Sequence, residues 1–323
     1  MFKKFPLMTV AVAALQLTFA CAANAQAWPV KPIRLIVPYA AGGPTDVIAR
    51  LLAKKIGTEL GQAIVVDNRV GAGGVIGVDA AVKAAPDGYT FALAAPGPLA
   101  GMPNLTKVPY TQDDIQYISL VARIPSVIVV GKNSGIMSLG ELLKRAKSEP
   151  GKLNYSSAGT GTTPHIGAEL LKQEADIDIQ HVPYKGAAPA VTALLSGEVQ
   201  MSMVDLLPVL PHVQSGSLRV LAVAGTSRAP QLPDVPTTAE LGLARVLMDT
   251  HYGFISPAGL PREILEKFRS AVVSAVQSPE MKDQFLKQGA LAVTSTSMQY
   301  RDLMRAEYDK WGVVVRKGRI TLD

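Results

Sequence analysis

The chain has 323 residues, of which 48% are hydrophobic and 18% are charged, and its formal net charge is +6. This composition is typical of a globular protein with about two domains, and it excludes an intrinsically disordered chain. The basic residues are scattered and form no dense run, which argues against a nucleic-acid-binding protein.

Residues 1–27 have the pattern of a cleavable signal peptide. Lys3 and Lys4 precede a short apolar stretch, and small residues at positions 23, 25 and 27 offer two cleavage sites. The apolar stretch is shorter than the roughly 20 residues that a membrane-spanning helix needs. Cys21, the one cysteine, is removed with this segment or carries a lipid. We therefore expect an exported periplasmic protein without disulfides.

The segment 33–60 predicts a buried strand, a turn of small residues and then a helix. Residues 33–38 form the strand and residues 39–43 form the first turn. Pro44 suits the first helical position, and apolar residues recur at helical spacing from Val47 to Leu60. Backbone amides at a helix start have no acceptor, and the helix dipole adds positive potential there. The first turn is therefore a candidate anion-binding site.

The segment 153–173 has the same form with a different sequence. A strand at residues 153–157 leads into the second turn, residues 158–163, and Pro164 begins a helix. Two such turns that face each other would bind one negatively charged ligand between them.

Strands and helices alternate along most of the remaining chain, which favours a parallel α/β sheet. Residues 117–130 are almost continuously apolar, and helices are predicted over residues 261–276, 279–287 and 297–315. We expect two similar α/β domains. The first would comprise residues 28–125 and 251–323, and the second residues 126–250.

Known patterns of metal and cofactor sites are missing from the sequence. The four histidines lack the spacing of metal ligands, and the mature chain has no cysteine, so no metal or cofactor is expected. The glycines of residues 71–77 depart from the dinucleotide-binding fingerprint. No nucleophile elbow surrounds Ser157. An exported α/β hydrolase that would use Ser157, His165 and Asp205 is therefore a disfavoured alternative.

Short motifs follow one another in a fixed order along the mature chain: Trp28-Pro-x-Lys-Pro32, Ile36-Val-Pro-Tyr39, Val66-Asp-Asn-Arg69, Pro86-Asp-Gly-Tyr-Thr90, Ser157-Ala-Gly-Thr-Gly161, His181-Val-Pro-Tyr-Lys-Gly186 and Leu232-Pro-Asp-Val-Pro-Thr237. In this order they resemble the Bug-type extracytoplasmic solute receptors of tripartite tricarboxylate transporters. The resemblance implies a two-lobed, type II periplasmic-binding-protein-like α/β fold with a cleft between similar domains. It also implies a carboxylate ligand held largely by backbone amides and waters, and membrane transporter components as partners.

The expected ligand-binding residues lie in the two turns and near them. Asp46 either caps its helix or shapes the pocket. His165 is expected to be a neutral hydrogen-bond donor that either contacts the ligand or packs. Asp205 ends a strand where α/β sheets bind ligands. The full set is Tyr39, Ala40, Ala41, Gly42, Gly43, Thr45, Asp46, Pro96, Gly97, Ser157, Ala158, Gly159, Thr160, Thr162, His165, Tyr184 and Asp205.

The predicted function is capture of a small carboxylate by a monomeric, non-enzymatic protein that delivers it to a membrane transporter. A ligand sensor for a membrane kinase is an alternative that the sequence leaves open. Two opposed helix starts favour a dicarboxylate. An apolar or aromatic middle is favoured because small or apolar residues are expected around the centre of the cleft: Ala40, Ala41, Pro96, Gly97, Pro98 and Leu206.

Overall fold

The computed structural model describes residues 28–322, so the predicted signal peptide lies outside the described residues. Ten strands form one continuous sheet. They are β1 (Ile33–Val37), β2 (Ile64–Asn68), β3 (Thr90–Ala94), β4 (Ile115–Gly131), β5 (Asn154–Ser157), β6 (Gln180–Pro183), β7 (Met201–Asp205), β8 (Leu218–Val223), β9 (Asp249–Pro257) and β10 (Leu291–Ala292).

Helices cover both faces of this sheet, and most of them begin where the sequence predicts. They are α1 (Pro44–Leu60), α2 (Val75–Val82), α3 (Leu139–Ser148), α4 (Thr163–Ala175), α5 (Ala187–Ser196), α6 (Leu206–Gln214), α7 (Arg262–Gln277), α8 (Pro279–Lys287) and α9 (Ser297–Gly318). Within residues 28–322, no helix is both long enough and apolar enough to cross a membrane.

The sheet contains two parallel blocks that are joined by antiparallel strands. β1 pairs in parallel with β2 and β3, and β5 pairs in parallel with β6 and β7. We call the half built on the first block the first lobe and the other half the second lobe. The sheet is mixed rather than parallel throughout, because β4 and β9 run antiparallel to their neighbours.

β4 connects the two lobes because it changes partners along its length. Residues 115–125 pair with β9, whereas residues 126–131 pair with β7 and β8. The change of partners falls between residues 125 and 126. Together, β4 and β9 carry the chain across the centre of the molecule. The α/β class and the two-lobed architecture agree with the prediction, whereas the domain limits themselves remain a prediction.

The long helix α9 packs on both lobes. Tyr300 and Met304, near its start, belong to an apolar cluster of the first lobe with Ile36 and Val78. Trp311 and Val315, nearer its end, belong to a cluster of the second lobe. The C-terminal helix therefore forms a second link between the lobes beside β4 and β9.

Candidate functional site

Four helix N-termini surround one cleft between the lobes. The residue that precedes each helix lines the cleft: Gly43 before α1, Thr162 before α4, Gly186 before α5 and Asp205 before α6. The empty space in the cleft, together with the open solvent at its mouth, is about 550 Å³. Its lining consists of Tyr39, Ala40, Ala41, Gly43, Pro44, Thr45, Ala95, Ala158, Thr162, Thr163, Pro164, Gly186, Ala187, Ala188, Val204, Asp205, Thr250 and Tyr252.

The cleft combines positive helix ends with a wall that has no cationic side chain among the described residues. None of the described residues that line it is a lysine, arginine or histidine. The polar side chains of the lining are hydroxyl groups and the Asp205 carboxyl. Backbone amides in the first turn of a helix have no acceptor within the helix, and the dipole favours negative charge there. An anion in this cleft would therefore be bound by amides and hydroxyls without a cationic side chain.

The first turn is held in place by the buried carboxylate of Asp46. Its Oδ2 accepts the Gly42 amide at 3.0 Å and Arg50 Nε at 2.9 Å, while its Oδ1 accepts Asn68 Nδ2 at 3.0 Å. Asn68 Nδ2 also donates to the Tyr39 carbonyl at 3.0 Å. Burial alone would raise the pKa of Asp46, but these hydrogen bonds outweigh it and hold the pKa below its ordinary value. Asp46 therefore shapes the turn from behind.

The second turn is held in place by His165, whose ring is buried. Its Nδ1 accepts the Gly161 amide at 3.1 Å. Burial, with a smaller effect of Lys172, lowers the pKa of His165 to about 4. The ring is therefore neutral at physiological pH, as the sequence predicts. Because Nδ1 accepts a hydrogen bond, the ring proton is on Nε2, where it can be donated. The main cause of the lowered pKa is burial.

Hydroxyl groups of the second turn also bond within the turn. Thr162 Oγ1 donates to the Gly159 carbonyl at 2.6 Å, and Ser157 Oγ accepts the Gly159 amide at 3.1 Å. Ser157 Oγ lies 2.7 Å from Nε2 of His181, whose ring stacks on His165 with centroids 4.1 Å apart. These groups define the shape of the turn.

Asp205 lies at the floor of the cleft and connects the end of β7 to β9. Thr250 Oγ1 donates to Asp205 Oδ1 at 2.6 Å, and the Tyr252 hydroxyl donates to Oδ2. Burial raises the pKa of Asp205 to about 6, against the opposing effect of these hydrogen bonds. The carboxyl therefore titrates close to neutral pH.

The two lobes are in contact around the cleft. A Cβ atom built on Gly186 of the second lobe would lie 3.6 Å from Ala40 Cβ in the first turn. One built on Gly97 would lie 3.0 Å from the Tyr39 hydroxyl and 3.4 Å from Thr162 Cα. The lobes therefore lie close together around the cleft.

Eight of the seventeen predicted ligand-binding residues line the cleft: Tyr39, Ala40, Ala41, Gly43, Thr45, Ala158, Thr162 and Asp205. The other nine lie outside the lining: Gly42, Asp46, Pro96, Gly97, Ser157, Gly159, Thr160, His165 and Tyr184. Several of these hold the turns, as described above, and the Tyr184 hydroxyl donates to Glu198 at 2.6 Å. Pro98 and Leu206, expected at the centre of the cleft, do not line it either.

The helix start at α5 lines the cleft although it was not predicted as part of the site. The strand–turn–helix form of the two predicted turns is repeated by β6, Gly186 and α5. This repetition is the sequence signal that could have revealed the α5 helix start. Thr250 and Tyr252 carried no such signal, since β9 reaches the cleft only through long-range pairing. The missed lining residues are Pro44, Ala95, Thr163, Pro164, Gly186, Ala187, Ala188, Val204, Thr250 and Tyr252.

The residues of the hydrolase alternative do not form a catalytic triad. Ser157 is bonded to His181, His165 uses Nδ1 for the Gly161 amide, and Asp205 is bonded to Thr250 and Tyr252. A triad requires the nucleophile, the base and the orienting acid to be bonded in series. Ser157, His165 and Asp205 are therefore not bonded in series.

The sequence and the fold both match known solute receptors. Residues 48–320 match the model of the tripartite tricarboxylate transporter family receptor. Protein BugT of Bordetella pertussis (strain Tohama I) is 37% identical over 297 residues, which are 91% of each chain.

Two solved structures share the fold over most of the chain. An R. palustris protein with adipate superimposes with a TM-score of 0.88 and 31% identity, covering 91% of this chain and 99% of that one. MatC from Rhodopseudomonas palustris with bound malate superimposes with a TM-score of 0.85 and 29% identity, covering 89% of this chain and 100% of that one. These matches, with the two-lobed fold and its anion-suited cleft, show that the chain belongs to the tripartite tricarboxylate transporter receptor family and is a Bug-type periplasmic solute receptor, not an enzyme.

Proposed function

We propose that this receptor captures a small dicarboxylate in the cleft between its lobes and delivers it, as a monomer, to the membrane components of a tripartite tricarboxylate-type transporter. The observation that carries the proposal is the convergence of four helix N-termini on one cleft whose described lining contains no cationic side chain. Such a site favours anions through amides and dipoles.

Two structural relatives support a dicarboxylate ligand, because one contains adipate and the other contains malate. The lining supports an apolar or aromatic middle. Alanines, glycines, prolines and Val204 make up most of the wall. Polar groups in the middle of a ligand would lose their water there without enough partners, at a cost of roughly 1–3 kcal/mol each.

Closure of the cleft is proposed as a hinge motion of the two lobes about β4 and β9. The limits of the moving bodies are those predicted from the sequence, residues 28–125 with 251–323 and residues 126–250. A ligand that touches both lobes binds the closed form more tightly than the open form and thereby shifts the population toward closure. Gly186 and Ala40, on opposite lobes, would approach each other in this motion.

The proposal is tested by measuring the melting temperature of the mature protein with a panel of carboxylates. The panel contains succinate, adipate, malate, terephthalate, citrate, aspartate and glutamate. A ligand present at 100 times its Kd stabilises the folded state by about 2.7 kcal/mol, which is readily measured. We expect adipate or terephthalate to produce the largest increase. An amino acid at the top of the ranking would contradict the apolar middle, and no increase with any compound would contradict dicarboxylate capture.

A further inference from the structure

The second lobe contains one hydroxyl group of the cleft wall that the fold itself does not use. Thr163, the first residue of α4, lines the cleft and is only 2% exposed. Its Oγ1 is buried and has no hydrogen-bond partner among the described residues. A buried polar group without a partner is uncommon and is usually satisfied by a ligand or water.

The neighbouring hydroxyls of the second turn do not share this property. Thr162 donates its proton to the Gly159 carbonyl, and Ser157 is bonded to His181 and to the Gly159 amide. The Gly161 amide is bonded to His165. Ser157 and Thr162, which the sequence favours for ligand contact, are thus already hydrogen-bonded, whereas Thr163 Oγ1 has no partner among the described residues.

The N-terminus of α5 faces the same cleft and is not compensated by an acidic side chain. Gly186, Ala187 and Ala188 line the cleft, and no side chain caps the helix. The first turns of α4 and α5 contain no acidic residue, whereas α1 carries Asp46 in its first turn. The positive ends of α4 and α5 therefore remain available to a ligand anion.

We propose that Thr163 Oγ1 and the first amides of α5, those of Ala187 and Ala188, form the subsite for one carboxylate of the ligand. The inference rests on the proposed function and deepens it. The other carboxylate binds to the amides at the start of α1 in the first lobe. The preferred ligand is then a dianion whose two carboxylates are held by opposite lobes.

Thr163 is tested with Thr163→Val, which removes the hydroxyl and keeps the shape, and Thr163→Ser, which retains the hydroxyl. Calorimetry measures the affinity for the best dicarboxylate of the panel. We expect Thr163→Val to weaken binding by about ten- to a hundred-fold, since it removes a hydrogen bond to a charged group. Thr163→Ser should stay close to the wild type. Thr58→Val serves as the matched control, because the Thr58 hydroxyl bonds inside α1 to the Lys54 carbonyl.

The amides of α5 are tested with Ala187→Pro. Proline is well tolerated at the first position of a helix but has no N–H, so this variant removes one amide and keeps α5. We expect binding about ten-fold weaker with an unchanged melting temperature of the empty protein. Arg262→Pro, at the first position of α7 outside the cleft, is the control and should bind like the wild type.

Three results would overturn the inference or its basis. Wild-type affinity in both Thr163→Val and Ala187→Pro would refute the subsite and leave the proposed function standing. Equal losses in Thr163→Val and Thr163→Ser would mean that the hydroxyl is not the cause, and would also refute it. Failure of the wild type to bind any dicarboxylate of the panel would refute the proposed function and the subsite together.

Discussion

Asp46 and His165 occupy the same position in the helices that follow the two turns. Each is the third residue of its helix, and each accepts the backbone amide of the glycine four residues before it, Gly42 at 3.0 Å and Gly161 at 3.1 Å. Both glycines have a positive φ, +80° and +76°. One turn uses a carboxylate and the other a neutral imidazole for the same purpose. Each side chain thereby positions the amides that follow it, without lining the cleft.

Removal of the Asp46 acceptor should therefore impair binding although the side chain does not line the cleft. We expect Asp46→Ala to weaken dicarboxylate binding about ten-fold or more and to lower the free energy of unfolding by roughly 1–3 kcal/mol. Calorimetry and urea denaturation provide the two measurements. Asp283→Ala is the matched control, because Asp283 also pairs with a cation four residues later, Lys287, but is exposed. An effect of Asp46→Ala no larger than the control would contradict the positioning role.

His165 should make the stability of the protein depend on pH. Its pKa is about 4 in the folded protein, against an ordinary value of about 6.5, so the unfolded chain takes up a proton at higher pH than the folded chain does. Above pH 6.5, the neutral His165 ring makes its full contribution to the free energy of unfolding. As the pH falls from 6.5 toward 4, protonation of this histidine in the unfolded chain lowers the free energy of unfolding by about 3 kcal/mol.

The measurement is urea denaturation at several pH values between 4 and 7.5, for the wild type and for His165→Asn. Asparagine offers a side-chain oxygen to the Gly161 amide but has no proton to take up in this range. The difference in unfolding free energy between the two proteins should therefore change with pH in this window. A constant difference would contradict the buried neutral ring.

Asp205 should make the affinity for a dicarboxylate depend on pH between pH 6 and pH 8. Burial raises its pKa to about 6 in the empty cleft, and a bound dicarboxylate would raise it further through repulsion. Binding then takes up a proton, so the affinity should increase by about ten-fold from pH 8 to pH 6. Calorimetry at both pH values provides the test. Asp205→Asn should bind with an affinity that does not change over this range, and a wild type without pH dependence would contradict the argument.

The conformation of Gly42 provides a test of the first turn that changes no charge. Its φ of +80° is unfavourable for a β-branched residue, although no atom lies within 4 Å of a Cβ built there. We expect Gly42→Val to shift the turn and to abolish measurable binding. Gly259 has the same φ of +80° and the same open surroundings, so Gly259→Val carries the same backbone strain away from the cleft. Equal affinities of the two variants would show that the first turn is not part of the site.

The sequence predicted the features that depend on local patterns. The strand, glycine turn and helix of residues 33–60 form as expected, because apolar spacing and Pro44 specify them within a short segment. The antiparallel pairing of β4 with β9 was not predictable in this way, since its partners are more than 100 residues apart, as in the pair of Arg123 and His251. Thr250 and Tyr252 reach the floor of the cleft through that pairing.

The central claim is that helix N-terminal amides and hydroxyls bind a carboxylate without a cationic side chain. A crystal structure of the mature protein with its best dicarboxylate tests this claim most directly. We predict carboxylate oxygens about 2.7–3.2 Å from the amide nitrogens at the start of α1 in one lobe and from Thr163 Oγ1 and the α5 amides in the other. A dicarboxylate bound through a lysine or arginine side chain, or bound outside this cleft, would contradict the account.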